Sequence, residues 1–403
     1  MNCDFLCFID FGCEHIGLLI AKIKDNRLID IPLILNNKVN ISSQRPQSVF
    51  NQQENVEEML KIINEAEKKL KITINEIVLL SKNNAMSVYY SKSIIEFKKK
   101  QKVLQHHKER LSMNIIKSFY EDTNNNQTML DYIQNNSILD DIQEVKNPYK
   151  MVCQKLSTSA TIIGIKKIFI NKISSFLEVC KIHIKHYISP SIAVYSLLKN
   201  NISNDNCYLF IDLGSISTEY CVVKNNCIIC LENINLGGLD MTRDISDEMK
   251  IYIKDADLGK KKIGHIKQLN KEVEFVFNRM EEIADARLNE IVEYIQKTLN
   301  DKKQRLSFKK IYVFGGTSLY KNTKTIIEEK FKTNVEIIND KSVLNSELLY
   351  NKIKTEDMKK ENIQLFGALN FYLNNVEMYK NASKGFLFKI PSKISCFLKD
   401  LLY

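Results

Sequence analysis

The feature that most constrains this chain is a short pattern that occurs twice. The stretches "FIDFG" (residues 8–12) and "FIDLG" (residues 210–214) each end an apolar run with Asp, an apolar residue and Gly. Glycine permits a positive φ, so successive backbone N–H groups can converge on phosphate oxygens. The carboxylates Asp10 and Asp212 suit Mg²⁺ held through water, because Mg²⁺ dehydrates reluctantly. The pattern predicts two phosphate-binding turns.

The surroundings of the two turns are also duplicated. After the first turn, "IGLLIAKI" and "LIDIPLIL" complete a three-strand meander, and a similar opening begins near residue 207. A chain of 403 residues is too long for one typical domain. We therefore predict a duplicated α/β fold with two lobes, whose hairpins face each other across a cleft and hold a triphosphate from both sides.

The remaining pattern predicts helices between further strands. Residues 82–157 are polar and rich in Asn and Gln, which indicates an inserted subdomain; its basic piece "KKKQKVLQHHKERL" is expected to be a solvated helix. Helices are expected at 56–70, near 165–180, after Pro190, from the segment "LGGLDMTRDISDEM", at 273–299 and at roughly 359–373, and strands at 76–81 and 182–188.

A third motif, "YVFGGTS" (residues 312–318), places Gly315 and Gly316 between a buried strand and a helix. Such a turn lets the backbone approach a ligand closely, and a helix N-terminus favours an anion. By itself the motif is also typical of an ordinary strand–helix turn.

Composition excludes several classes of protein. The formal charge is +10, but the basic stretch 98–110 has no interleaved aromatic side chains, so we expect no nucleic-acid partner. The first residues carry Asp4 and Asp10 within an apolar run, unlike a secretory signal, so the thiols should stay reduced. Cys227 and Cys230 fall on opposite faces of a strand, which argues against zinc. No apolar run is long enough to span a bilayer.

The last segment, residues 381–403, predicts a polar linker followed by a short amphipathic helix that begins near Pro391. One face is apolar and the other is basic, as in helices that lie on anionic membranes. A terminal helix docked on the protein's own core is the alternative. The residues expected to contact lipid are Phe386, Leu387, Ile390, Ile394, Phe397, Leu398 and Leu401, with Lys389, Lys393 and Lys399 on the basic face.

In the order of these motifs, the chain resembles the actin-like ATPase superfamily, and within it the FtsA family of bacterial cell-division proteins. "IDFGCEHIGLLIAKI" is similar to the first phosphate loop and "FIDLGSISTEYCVV" to the second, "YVFGGTSLYKNTKTIIEEKF" to the adenosine motif, and "VKNPYKM" to a segment of the family's inserted 1C subdomain. The resemblance implies ATP and Mg²⁺ as ligands. It implies these nucleotide-binding residues: Asp10, Gly12, Cys13, Glu14, His15, Asp212, Gly214, Ser215, Ser217, Thr218, Gly237, Gly238, Asp257, Lys260, Gly315, Gly316, Thr317 and Ser318, with Asp10 and Asp212 near the metal.

Two positions depart from the family's motifs. Ile216 stands in the second loop where the family commonly has Gly, and His15 stands in the first loop where Lys is common. The stretch "YISPSIAVY" (187–195) offers no residue to orient an attacking water. We therefore predict no catalytic residue and at most weak ATP hydrolysis.

The resemblance also implies an architecture and a role. The fold would be the two-lobed actin-like (ribonuclease H-like) fold with a 1C subdomain in place of actin's 1B. The expected segments are 1–81, 158–200 and 359–380 for 1A, 82–157 for 1C, 201–243 and 305–358 for 2A, 244–304 for 2B, and 381–403 for the tail. Such a protein would form filaments on the inner face of the plasma membrane at the division site. It would bind the C-terminal peptide of FtsZ on 2B and later division proteins on 1C.

Two other functions fit parts of the pattern. A pilus-assembly adaptor resembling PilM would share the actin-like fold and the 1C insert, but it would not need a membrane-binding tail. A small-molecule kinase of the same superfamily would need a catalytic Asp in the cleft and an acceptor pocket, and the sequence offers no candidate for either.

Overall fold

The secondary structure follows the duplicated pattern of the sequence. The computed structural model describes residues 4–12, 14–25, 27–38, 53–82, 84–179, 181–203, 205–263, 271–301, 306–339 and 360–383. The strands in chain order are β1 (Asp4–Phe11), β2 (His15–Lys24), β3 (Arg27–Lys38), β4 (Glu76–Leu80), β5 (Met86–Lys102), β6 (Gln127–Leu139), β7 (Gln143–Val145), β8 (Val152–Lys166), β9 (His183–Ile188), β10 (Cys207–Leu213), β11 (Thr218–Lys224), β12 (Cys227–Ile234), β13 (Lys310–Phe314) and β14 (Val335–Ile337). The helices are α1 (Gln53–Leu70), α2 (Gln105–Asp122), α3 (Lys167–Val179), α4 (Pro190–Leu198), α5 (Gly238–Met249), α6 (Ile253–Lys262), α7 (Lys271–Asp301), α8 (Thr323–Phe331) and α9 (Ile363–Ser383).

Two five-stranded sheets have the same topology. The strand order is β3-β2-β1-β4-β9 in one sheet and β12-β11-β10-β13-β14 in the other. In each, the first strand of the hairpin pairs antiparallel with the next strand and parallel with a later one: β1 with β2 and β4, and β10 with β11 and β13. The carboxyl ends of β1 and β10 therefore occupy equivalent places in the two sheets, as the duplicated motifs predict.

Helices α4 and α9 connect the two sheets. The side chain of Asn370 in α9 donates from Nδ2 to the carbonyl oxygen of Ser196 in α4 at 2.8 Å, so the two helices are in direct contact. From α9, the ring of Tyr372 meets Phe8 of β1, and from α4 the ring of Tyr195 meets Phe210 of β10. All five side chains are buried or nearly so, so both sheets share one apolar core through these helices.

The residues divide into two units, the first in the ranges 1–84, 180–225 and 232–373, and the second in the ranges 85–179, 226–231 and 374–403. The second unit contains a four-stranded antiparallel sheet in the order β5-β8-β6-β7, covered by α2. Leu111, Ile115 and Phe119 recur every fourth residue along α2 and form its buried face. Because β8 and α3 belong to this unit, it continues beyond residue 157, where the sequence pattern ends the insert.

Three further sequence expectations differ from the structure. The closing helix, expected to end near residue 373, continues to Ser383 and so includes the first residues of the expected linker. The basic piece "KKKQKVLQHHKERL" is a helix only from Gln105, because β5 continues to Lys102 and still pairs there with Val152 of β8. The glycine turn after β13 leads first into a short 3-10 helix, Gly316–Leu319, and α8 begins only at Thr323. Within the described part of the chain, no helix is both long and apolar enough to cross a membrane.

Candidate functional site

The two hairpin turns have the same geometry. Asp10 pairs with Gly17 across the first hairpin, and Asp212 pairs with Glu219 across the second. The N–H of Gly12 donates to the carbonyl oxygen of His15 at 3.1 Å, and the N–H of Gly214 donates to that of Ser217, also at 3.1 Å. The two phosphate-loop candidates are thus matched hairpins at the carboxyl ends of equivalent strands.

The carboxylate Asp212 is completely buried and has a partner on each oxygen. The Lys82 Nζ lies 3.0 Å from its Oδ1, and Nε2 of Gln364 in α9 donates to its Oδ2 at 2.9 Å. Burial raises the pKa of Asp212 above its usual value, and the positive charge of Lys82 opposes that rise. A carboxylate without water needs such a counter-charge to stay ionised.

The corresponding carboxylate in the first hairpin, Asp10, is 3% exposed and faces a histidine. His15 Nε2 lies 3.5 Å from Asp10 Oδ2, with a third of the His15 side chain exposed. Burial lowers the pKa of His15, but the nearby negative charge of Asp10 outweighs burial, so the net shift is upward. The first loop therefore holds a titratable cation next to its carboxylate.

The glycine turn after β13 lies directly against the second hairpin. Gly315 has φ of 92°, and a Cβ there would overlap Asp212 Oδ1. The hydroxyl of Thr317 donates to the carbonyl oxygen of Gly214 at 2.8 Å, and that of Ser318 donates to the carbonyl oxygen of Gly315 at 2.7 Å. At Gly316, in contrast, a Cβ would have no atom within 4 Å among the described residues beyond its own chain neighbours. Its backbone faces open space.

The segment before α5 forms the other side of this loop. The N–H of Gly238 donates to the carbonyl oxygen of Gly214 at 2.9 Å, and the N–H of Gly237 donates to Oδ2 of Asp240 at 2.9 Å. The hydroxyl of Ser215 is buried and has no hydrogen-bond partner among the described residues. A buried hydroxyl without a partner is typical of a place where a ligand or a water binds.

Lys260 and Asp257, which the resemblance implies as nucleotide-binding residues, lie on α6 beside the start of α5. Lys260 Nζ donates to the carbonyl oxygen of Gly238 at 2.7 Å and to Oγ1 of Thr242 at 2.6 Å, and it lies 3.4 Å from Asp257. Burial lowers the pKa of Lys260, against the attraction of Asp257. Helices α5 and α6 therefore place Lys260 and Asp257 next to the second phosphate loop, at Gly214.

Not every residue expected in the site points into it. Thr218 is buried and donates to the carbonyl oxygen of Leu236, which fixes the hairpin rather than a ligand. Glu14 is exposed. Cys13 lies outside the described residues, as do all the residues expected to contact lipid. Among the described residues, no group of three or more His, Cys, Asp or Glu side chains is arranged to hold a metal ion.

Three residues of the site were not predicted from the sequence: Lys82, Gln364 and Glu219. Glu219 is 1% exposed, and its Oε1 accepts hydrogen bonds from the Ser189 hydroxyl at 2.6 Å and the Ser191 N–H at 3.0 Å. Burial raises the pKa of Glu219 to about 7. Lys82 had a recognisable signal, because it follows β4, a strand that ends beside β1. Gln364 had none.

Comparisons with known proteins add sequence evidence to this geometry. The family model "Cell division protein FtsA" matches residues 209–356, which include the second hairpin and the glycine turn. Cell division protein FtsA of Bacillus subtilis (strain 168) is 21% identical over 313 residues, which cover 74% of this chain and 70% of that protein. The predicted resemblance to FtsA is confirmed.

The solved structures agree on the fold. The PilM-PilN type IV pilus biogenesis complex matches 90% of this chain and 97% of the solved chain, with a TM-score of 0.58 and 14% identity. A likeness at this identity concerns the fold alone. The prediction of an actin-like fold is confirmed.

Proposed function

We propose that this chain is a cell-division protein of the FtsA type that binds ATP between its two duplicated sheets. The observation that carries the proposal is the pair of matched hairpins, each with a buried carboxylate at the same strand end. The second of them is joined to the glycine turn and to the segment at Gly237–Gly238. Backbone N–H groups in such turns are suited to phosphate oxygens.

Different residues of the site would contact the phosphates and the adenosine. The phosphates would lie between the first loop, around Gly12, and the second, around Gly214 and Ser215. The adenosine would lie against Gly316, where the backbone faces open space, with Lys260 next to it. We assign no residue to hydrolysis. The nucleotide would act as a conformational ligand that shifts assembly through its different affinity for two states.

The fit of Mg²⁺ differs between the two carboxylates. Both oxygens of Asp212 already have partners, Lys82 and Gln364, so an ion does not fit against Asp212 in this arrangement. Asp10 Oδ2 makes no hydrogen bond among the described residues and has only His15 Nε2, at 3.5 Å, facing it. Asp10 is therefore the carboxylate that would face, through water, an ion carried by ATP, without that ion being needed to hold the phosphates.

The cellular role follows from the resemblance and from the predicted tail. We propose that residues 381–403 bind anionic lipid at the inner face of the plasma membrane at the division site, and that the chain tethers FtsZ there and self-assembles into filaments. Three apolar side chains in the region 244–304 are exposed: Tyr252 just before α6, Leu258 on α6 and Phe275 on α7. They support a peptide-binding surface in this region. The insert would bind later division proteins as a 1C subdomain.

The second candidate is a pilus adaptor, favoured by the likeness to the PilM-PilN complex. The two functions differ in the predicted tail. The test is sedimentation of the full chain with vesicles of phosphatidylglycerol and phosphatidylethanolamine, with and without purified FtsZ. It is compared with a chain that stops after Ser383, where α9 ends.

A matched pair of tail variants sharpens this test. Leu398→Asp places a charge on the predicted apolar stripe, whereas Ser392→Asp places the same charge on the opposite face of the predicted helix. We expect the full chain and Ser392→Asp to carry FtsZ to the vesicles, and the truncated chain and Leu398→Asp to stay in solution. Equal sedimentation of all four would contradict the tail assignment and favour the adaptor.

A further inference from the structure

Lys82 connects the two halves of the site. It follows β4 by two residues, and the parallel register of β4 with β1 places Leu80 beside Asp10. Its side chain leaves the first sheet there and reaches the hairpin of the second. Nζ lies 3.0 Å from Asp212 Oδ1 and 3.4 Å from the carbonyl oxygen of Ser217.

The ammonium group lies inside the second loop. A Cβ built on Gly214 would overlap Lys82 Nζ, so the absence of a side chain at Gly214 leaves the room that the ammonium takes. The Lys82 side chain is 19% exposed and that of Asp212 is 1% exposed, so the pair is largely shielded from water. A shielded pair is screened by solvent and salt far less than a surface pair.

The position of this charge matters for a phosphate. A nucleotide held between the two turns would bring negative oxygens to the loop of Gly214, beside a buried carboxylate of the same sign. One positive charge between them is therefore required, and Mg²⁺ supplies it where an ion can bind. Here the side chain of Lys82 supplies it, with no ion to dehydrate.

We propose that Lys82 is the cation of the second phosphate loop: its ammonium holds the place beside Asp212 that a divalent metal would need, so that ATP binds without metal on this side of the cleft. The inference rests on the proposed ATP site. Lys82 is a binding residue here, with no role assigned in hydrolysis.

The test is calorimetric titration of ATP into the full chain, once with excess Mg²⁺ and once with EDTA. We expect the wild-type affinity to change by less than about threefold between the two conditions, and Lys82→Met to bind about tenfold or more weakly in EDTA, the value of a hydrogen bond to a charged group. Lys82→Arg should retain most of the affinity. Lys224→Met, which removes an exposed lysine at the far end of β11, is the matched control and should bind as the wild type does.

A second measurement uses Mg²⁺ alone. Mg²⁺ should leave the melting temperature of the wild type unchanged and raise that of Lys82→Met, because the variant leaves a buried carboxylate free to take an ion. If Lys82→Met does not fold, Lys82→Met combined with Asp212→Asn removes both charges and is compared with Asp212→Asn alone. The double variant should bind ATP in EDTA more weakly than Asp212→Asn, because the two differ only in the ammonium group.

The outcomes separate the inference from the function on which it rests. If the wild type binds ATP only with Mg²⁺, or if Lys82→Met matches it in EDTA, the inference is wrong and the ATP site stands. If the wild type binds no ATP in either condition, the proposed ATP site itself is wrong.

Discussion

The two adjacent glycines after β13 give a sharp test of the site's geometry. Gly315 has φ of 92° and ψ of 167°, a region open essentially to glycine alone. An added Cβ would overlap Asp212 Oδ1 and lie 2.5 Å from the carbonyl oxygen of Leu213, which is backbone and cannot rotate away. Gly316 is one residue on, and in the described part of the chain its Cβ would meet no atom within 4 Å other than its immediate neighbours. The same substitution should therefore destabilise the fold at Gly315 and leave its stability unchanged at Gly316.

For Gly315→Ala, the backbone strain alone costs about 1–3 kcal/mol. With the displacement of the Asp212 carboxylate added, we expect a loss of about 3 kcal/mol in the free energy of unfolding. At about 2–4 °C per kcal/mol for a domain of a few hundred residues, the melting temperature should fall by about 6–12 °C. Gly316→Ala should stay within about 0.5 kcal/mol of the wild type.

The assay is thermal unfolding of both variants followed by circular dichroism, with ATP titration of any variant that is folded at the working temperature. Gly316→Ala should melt like the wild type but bind ATP more weakly, because its methyl group would enter the space proposed for adenosine. Equal melting temperatures for the two variants would refute the geometric reasoning. A normal ATP affinity in Gly316→Ala would refute the place given to adenosine.

Three further substitutions test separate parts of the account. Glu219, whose pKa is raised from 4.5 to about 7, stabilises the folded chain at low pH, and this contribution is lost as the pH rises through about 7. Glu219→Gln should therefore flatten the change in melting temperature between about pH 4.5 and 7; an unchanged slope would contradict this. Thr317→Val removes the hydrogen bond to Gly214 and should weaken ATP binding about fivefold, or about 1 kcal/mol, measured by calorimetry; unchanged binding would contradict it. Tyr320→Phe removes the bond to Asp285 and should cost about 1 kcal/mol of stability by thermal unfolding with ATP affinity unchanged; a loss of affinity would show that the site extends to this turn.

Local patterns were enough to predict the hairpins. Asp10 and Asp212 end apolar runs, each is followed by an apolar residue and Gly, and a strand that turns back can be recognised within fifteen residues. The structure places both carboxylates at the same end of equivalent strands. The parallel pairing of β1 with β4 and of β10 with β13 then follows from the fold class rather than from any one motif.

Partners distant in sequence were not predictable. Gln364 reaches Asp212 across 152 positions and Lys82 reaches Ser217 across 135. The place of Lys82 after β4 puts it near the first hairpin, but nothing local in either segment indicates a partner in the second. The prediction of a helix at residues 98–102 was wrong for a related reason. Its lysines favour a solvated helix locally, but pairing of β5 with β8 extends to Lys102 and overrides that preference.

The central claim is that a nucleotide lies between the two matched hairpins. The most direct measurement is a crystal structure of the full chain grown with a non-hydrolysable ATP analogue. We predict phosphate oxygens within hydrogen-bonding distance of the backbone N–H groups in both loops, around Gly12 and around Ser215, with Lys82 still beside Asp212. A nucleotide bound anywhere else, or bound to one loop only, would contradict it.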